Sequence, residues 1–409
     1  MTDAIAYPPG EFLRFLHRRR GPVVRFGAGR HRYAYLFGPE ANRFVFANDE
    51  LFTMREAFEG LVPVDGETSL IVSDGAEHKH RRRLVQPAMH HRQVARYRAI
   101  MTEGADEVID RWRPGEVVDA YQAFRGAIRR GTLRSLFGPR LAEDADFLGE
   151  HLQALLDLVD RQPDVIRLHR ALRTPLWQKA MRARARVDER IHAEIARVRE
   201  SDGDGVLATL VNGRDEDGAG LSDEEIRDQA VTLIAAGYET TSAAMAWAIH
   251  LLVSHPELRE RAAADEEYRR AFVSETLRLY PPAVVSARHV ARGFEFAGHP
   301  IRTGTILLYS PYVTHRSAAV YADPLTFRPQ RWLPGDPAFR KAGPHEFVPF
   351  GGGPHRCVGA TMATAELTVM LGRLLERTEL RAVEQRIRPT GFAAMRPKNG
   401  LRVAVVTKA

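Results

Sequence analysis

The chain has 409 residues, 44% of them apolar, and its 59 basic against 52 acidic side chains leave a formal charge of +7. That length admits two or three ordinary domains or one large body, while the apolar fraction and the lack of long polar repeats exclude a disordered or fibrous protein. A single cysteine excludes an internal disulfide and fits a reducing, cytoplasmic setting.

Residues 1–21, MTDAIAYPPGEFLRFLHRRRG, hold no long apolar run, so neither a secretory signal nor a transmembrane anchor is expected. From Val23 to Phe46 the pattern alternates and turns at Gly27 to Gly29, predicting a small hairpin followed by a short helix. Between residues 76 and 200 the pattern is helical, with breakers at Arg113-Pro114-Gly115, Phe137-Gly138-Pro139 and Thr174-Pro175. The arginine-dense tract within it, Arg182 to Arg199, is interleaved with Asp188, Glu189 and Glu194 and carries no nucleic-acid motif, so it reads as a solvated helix face and no nucleic-acid partner is expected. Residues 201–220, rich in Asp and Gly, read as a short, mostly exposed helix between loops. Ser222 with Glu225 three positions on has the pattern of a capping box, opening a helix to about Ser254. Such a helix is roughly 50 Å long, and its apolar centre implies burial. A second strong helix precedes Pro281-Pro282, after which residues 294–308 alternate as hairpin-like strands around Gly298 and Gly304. A helix from about Gly359 to Arg377 and strand-like pieces near 383–387 and 401–406 close the chain. The fold class expected is mainly α with a smaller β-rich lobe. One domain spans 1–409, with a strand-rich portion at about 20–75, a helical body at about 76–280 and a mixed region at about 281–409.

Taken alone, Cys357 reads as a buried, apolar-like cysteine. Its surroundings, Phe350 through Gly359 with Gly351-Gly352-Gly353, His355 and Arg356 between, are more specific. The glycines permit tight turns and close approach to a flat cofactor, and the helix-like sequence that follows places backbone N–H groups near the sulfur, favouring the thiolate. A thiolate on haem iron promotes O–O cleavage. Zinc would need several Cys or His ligands at fixed spacing, and the glycine run lacks the lysine and hydroxyl of a phosphate loop. A Cys357/His355 nucleophile pair stays open at this level, since proximity in sequence does not establish a base's geometry.

The middle of the long helix reads Ala236-Gly237-Tyr238-Glu239-Thr240-Thr241-Ser242. Polar groups at a buried position need partners or a use. Gly237 leaves room for a ligand or for a neighbouring helix. Thr240 has two readings, a hydroxyl bonded only to a backbone carbonyl or, with Glu239, one end of a proton route. Glu275 and Arg278 share a helix face at i,i+3, either as a surface contact worth little or, with a further arginine, as a buried lock.

These residues resemble the cytochromes P450. Phe350, Gly353, His355, Cys357 and Gly359 match that family's haem-binding loop, Glu275 and Arg278 its Glu-x-x-Arg element, and Arg331 in FRPQRW supplies the third member, with Gln330 where Glu is frequent. Ala236, Gly237, Glu239, Thr240 and Thr241 match its oxygen-activation motif. The resemblance implies the P450 fold and a haem b held by Cys357 as axial ligand, with His78, Arg82, Arg288 and His355 on the haem propionates. It implies Thr240 delivering protons and Glu239 connecting it to solvent. It further implies a monooxygenase, with C–H hydroxylation of an apolar, terpenoid or lipid-like small molecule as the expected reaction. Electrons would come from a separate, acidic ferredoxin or flavodoxin-type protein and its reductase, docking over the cysteine side of a monomer. Peroxide-driven or other oxidative chemistry, and a haem-binding protein without catalysis, are the alternatives. The substrate walls are expected at residues 55–70, 165–176, 233–237, 284–287 and 391–394, with a mobile lid at 160–185.

Overall fold

The computed structural model describes residues 3–29, 31–200, 205–214 and 218–409. Its backbone is mainly helical with a smaller strand-rich lobe. The predicted hairpin forms from strands Val23–Phe26 and Tyr33–Leu36, and the helix that follows is Pro39–Ala47. Tyr33–Leu36 then pairs in parallel with Ile306–Tyr309, which pairs antiparallel with Ser286–Val290, and Phe52–Thr53 completes the five strands. Segments some 270 residues apart therefore share one sheet, with a small core of its own that includes Leu36, Phe46, Leu307 and Tyr309. Residues 20–75 prove less strand-rich than their alternation implied, because helices and short turns occupy most of the stretch between and after these strands.

The helical body follows the breakers. Helices His91–Asp110 and Ala120–Phe137 flank the Pro114-Gly115 turn, and Pro175 opens Pro175–Glu200. Along that last helix Arg184, Arg186, Arg190, Arg197 and Arg199 each pair with an acid, as a solvated, charge-balanced face should. Of residues 201–220, positions 201–204 and 215–217 lie outside the described residues. The helix within, Gly205–Asn212, buries Val206, Leu207, Ala208, Leu210 and Val211, so this part of the stretch is more buried than its composition implied: its apolar residues dock against Ala120–Phe137 and Pro175–Glu200.

The capping box forms as its spacing requires. The Glu225 N–H donates to the Ser222 hydroxyl at 3.2 Å, and the Ser222 N–H donates to the Glu225 carboxylate at 3.0 Å. The helix then runs from Asp223 to Ser254 and stops before His255-Pro256, where a following proline disfavours helical backbone. It is buried almost throughout from Ile226 to Leu252, and among the described residues no helix is long and apolar enough to cross a membrane. The helix after the glycine loop is Ala360–Arg377. The closing strands are Thr378–Ala382 and Arg402–Lys408, joined with Val117–Asp119 in a three-stranded sheet. The first of them starts directly where the helix ends, ahead of the expected 383–387. The largest core cluster joins the long helix, the helices packed on it and the final strands.

Candidate active site

The loop before Cys357 owes its shape to three glycines and one phenylalanine. Gly351 and Gly353 have φ of 65° and 66°, a region that a Cβ disfavours. A Cβ on Gly352 would lie 2.3 Å from the Phe46 ring, and one on Gly353 would lie 2.6 Å from the Phe46 carbonyl oxygen. The close approach at Gly352 and Gly353 within the chain is thus to Phe46 of the strand-rich lobe. Phe350, packed against the main core, accepts the Cys357 N–H on its carbonyl at 2.9 Å. Cys357 lies deep in the fold, yet its side chain opens onto free space. Burial pushes its thiol up, opposed by the Gly359 N–H and by the Arg356 and Arg82 cations. A Cβ at Gly359 would sit 4.0 Å from the sulfur.

His78, Arg81 and Arg82 lie on helix Gly75–Val85. His78 is buried and lies 3.9 Å, ring to ring, from His355. Arg82 donates to the Arg356 carbonyl at 2.8 Å. Arg81 turns away to Glu77, Glu225 and Ser73. Burial and the cations of Arg82 and Arg288 bring His78 down to about 4, and burial, His78 and Arg288 bring His355 down to about 3; both rings are neutral at pH 7. Arg288 is the unusual member. It is 3% exposed, donates through Nη1 only to the Ala287 carbonyl at 2.8 Å, and leaves its buried Nε without a partner. Among the described residues no carboxylate lies within ion-pair reach of it. A buried cation so poorly paired is costly, and an anionic group brought to this place would relieve it.

In the long helix, Ala236 is exposed and Gly237 and Thr240 are half-buried amid otherwise buried neighbours, so the helix faces open space at these positions. The Thr240 hydroxyl donates to the Ala236 carbonyl at 2.9 Å. A Cβ on Gly237 would lie 3.0 Å from Thr132, so the glycine packs against helix Ala120–Phe137 on one side while remaining half-buried. Glu239 is buried and paired: Arg125 donates to it through Nε at 3.0 Å and Nη2 at 2.7 Å, and Arg396 lies 3.7 Å away. Neither arginine carried a sequence signal, because each is remote along the chain from Glu239.

Glu275, Arg278 and Arg331 are brought together in the interior. Arg278 grips Glu275 through two N–H bonds of 2.8 Å, both side chains are 0% exposed, and Arg331 adds a bond of 3.1 Å. The Trp332 indole N–H and the Arg328 backbone N–H, both 2.9 Å from Glu275, complete the carboxylate's partners. Gln330 donates to the Tyr268 hydroxyl at 3.4 Å, a contact outside this lock.

The model of the family described as Cytochrome P450 matches residues 5–403. The chain belongs to the cytochrome P450 family. A protein of Mycobacterium tuberculosis carrying the provisional name cytochrome P450 139 is 50% identical over 98% of both chains. The cyclooctat-9-en-7-ol 5-monooxygenase of Streptomyces melanosporofaciens is 32% identical over 93% of this chain and 87% of its own. The solved structure of a cyanobacterial P450, CYP120A1 with retinoic acid bound, superposes with a TM-score of 0.89 over 98% of this chain and 95% of that one at 23% identity, sharing the fold. This P450 is accordingly an oxidoreductase, and membership in the family implies a haem. The residues present fit one. Among the described residues no cluster of three or more His, Cys, Asp or Glu stands ready for a metal ion, so a metal at Cys357 suits a group that brings its remaining donors with it. The orphaned Arg288 guanidinium suits that group's carboxylates.

Proposed function

We propose that this P450 is a haem-thiolate monooxygenase that holds haem b through Cys357 and places one oxygen atom from O2 into an apolar small molecule, with C–H hydroxylation of a terpenoid or lipid-like compound as its reaction. The observation that carries the reading is Cys357, deep in the fold, open to free space and flanked by the Gly359 N–H, Arg82 and Arg356. When bound, the haem supplies the redox chemistry that activates oxygen. The chain's own residues supply the rest. Arg82 and Arg356 stabilise negative charge on the sulfur, Arg288 and Arg82 pair with the propionates, and His78 and His355 add ring N–H donors. Thr240 holds and passes a proton at its Oγ, with Glu239 behind it toward solvent. Closure of the lid over an apolar chamber keeps water out.

The substrate class is supported by the relative named for cyclooctat-9-en-7-ol and by apolar residues such as Leu233 and Val284 on the expected walls. For the electron donor, support comes from a groove of about 590 Å³ lined by Arg83, His90, Arg92 and Arg96 with Gln86 and Gln93. It adjoins the helix that carries His78 and Arg82, and its charge suits an acidic ferredoxin or flavodoxin-type protein.

Optical titration of the ferric protein with terpenes, fatty acids, steroids and macrolides tests the reading. A saturable haem-band shift with one class is expected, together with loss of the thiolate-haem spectrum in C357A. In T240A the product formed per electron consumed should fall, by roughly 10-fold or more for a lost proton-transfer group. An unchanged yield would remove the role given to Thr240, and turnover independent of any electron donor would favour peroxide-driven chemistry.

A further inference from the structure

The turn at 391–394, expected in the substrate wall, belongs to a ribbon whose arms are Pro389–Thr390 and Arg396–Pro397. Its base is anchored in the core: the Met395 N–H donates to the Pro282 carbonyl at 2.9 Å, and the Met395 carbonyl accepts the Trp247 indole N–H at 2.8 Å. Its tip is held differently. The Phe392 and Ala393 N–H groups both donate to one oxygen of Asp160, at 2.5 and 2.8 Å, and Tyr7 donates to the Gly391 carbonyl at 2.8 Å. Asp160 is the residue that ends helix Ala145–Val159, immediately before the helix Pro163–Ala171 of the expected lid. Its second oxygen takes Arg396 Nη2 at 3.2 Å, and the Nε of the same arginine faces Glu239 Oε1 at 3.7 Å. Arg125 occupies the other Glu239 oxygen and also donates to Gln153, about two turns earlier on the helix that Asp160 ends.

We propose that Asp160 and Arg396 are positioning residues that link the substrate-wall turn and the start of the lid to the Glu239 carboxylate. The link rests on the proton-route reading of Glu239. With the lid end in place, Asp160 holds the turn through one oxygen and shares Arg396 with Glu239 through the other. Movement of Asp160 with the lid releases the turn and leaves Arg396 wholly to Glu239, so seating of the substrate and presentation of the carboxylate change together.

Two substitutions separate the functions of Asp160. D160N keeps a carbonyl oxygen for the Phe392 and Ala393 N–H groups and removes the charge facing Arg396, whereas D160A removes both. In the full-length haem-loaded protein, amide hydrogen exchange across 391–394 reports on the turn, and product formed per electron consumed reports on Glu239. The result expected is wild-type protection of the turn in D160N with a yield lowered roughly 1.5- to 5-fold, the range that a partly exposed ion pair commands. In D160A both protection and yield are lost. Wild-type protection in D160A overturns the clamp. A wild-type yield in D160N beside a lowered one in E239Q overturns the link while the proton route stands; a wild-type yield in E239Q removes the proton route and the link with it.

Discussion

Glu366 is buried on the helix that follows the cysteine, and among the described residues its Oε1 has no hydrogen-bond partner. A Cβ added at Gly131 would lie 3.4 Å from that oxygen, in close contact with it. Burial pushes Glu366 up from 4.5 to about 8. A carboxyl raised on folding contributes its stability in full below its unfolded value and loses it as pH rises through the folded one. E366Q should therefore match the wild type near pH 4 and exceed it near pH 9, by on the order of a few kcal/mol, as read from denaturant midpoints at the two pH values. Arg278 is the opposite case, a buried charge with every donor used: Glu275 by two bonds, and the carbonyls of His315, Pro324 and Thr326. R278M removes two of the bonds to Glu275, which keeps Arg331, Trp332 and the Arg328 N–H, and strands three carbonyl acceptors; it should cost about 3–5 kcal/mol of unfolding free energy, measurable by the same denaturant titration. Glu275 and Arg278 were legible from their spacing. Glu366 was not, since an isolated carboxylate in a helix reads as solvated until packing surrounds it.

At the scale of elements, the capping box, the breakers and the proline stops act within a turn or two of themselves, which is why the long helix and the helices around residues 113, 138 and 175 have the bounds expected of them. The glycine loop shows where local reasoning ends. Its tight backbone was expected, but the surface it fits is Phe46, more than 300 positions earlier, in a helix of the other lobe. G352A places a methyl group into that ring and should cost about 1–3 kcal/mol, as overpacking does. Because F46A is itself destabilising, the test is non-additivity: in an F46A background G352A should cost much less than in the wild type, checked by thermal unfolding of the single and double variants. The same limit explains the misplaced strand at 378–382 and the buried helix 205–212. In both, contacts made by distant elements outweighed the local composition.

The whole molecule carries its positive charge unevenly. Along Pro175–Glu200 five arginines pair with acids on the same helix or on neighbouring elements, whereas among the described residues no acid lines the groove beside His90, Arg92 and Arg96. Encounter with an acidic electron donor should then weaken as ionic strength rises. R92E with R96E should lower the second-order rate of reduction by roughly 10-fold or more at low salt, with the difference shrinking at high salt in stopped-flow measurements. A second cleft, about 520 Å³, is lined by Arg32, Glu56, Glu59, Arg167 and His289. The hairpin, helix Pro163–Ala171 and the five-stranded sheet each contribute charged or titratable side chains to it.

What the amino-acid sequence by itself determined was whatever depends on near neighbours: the helix caps and stops, the glycine turns around the one cysteine, the Glu275/Arg278 pair and the family pattern that these residues compose. Only the tertiary structure decided which side chains those residues meet. It set Arg125 and Arg396 on Glu239, Trp332 on Glu275, Phe46 under the glycines and Asp160 on the 391–394 turn, and among the described residues it put no carboxylate within ion-pair reach of Arg288. Each of these pairings joins positions scores to hundreds of residues apart, and hydrogen bonds and packing act over a few ångströms of space whatever the separation along the chain.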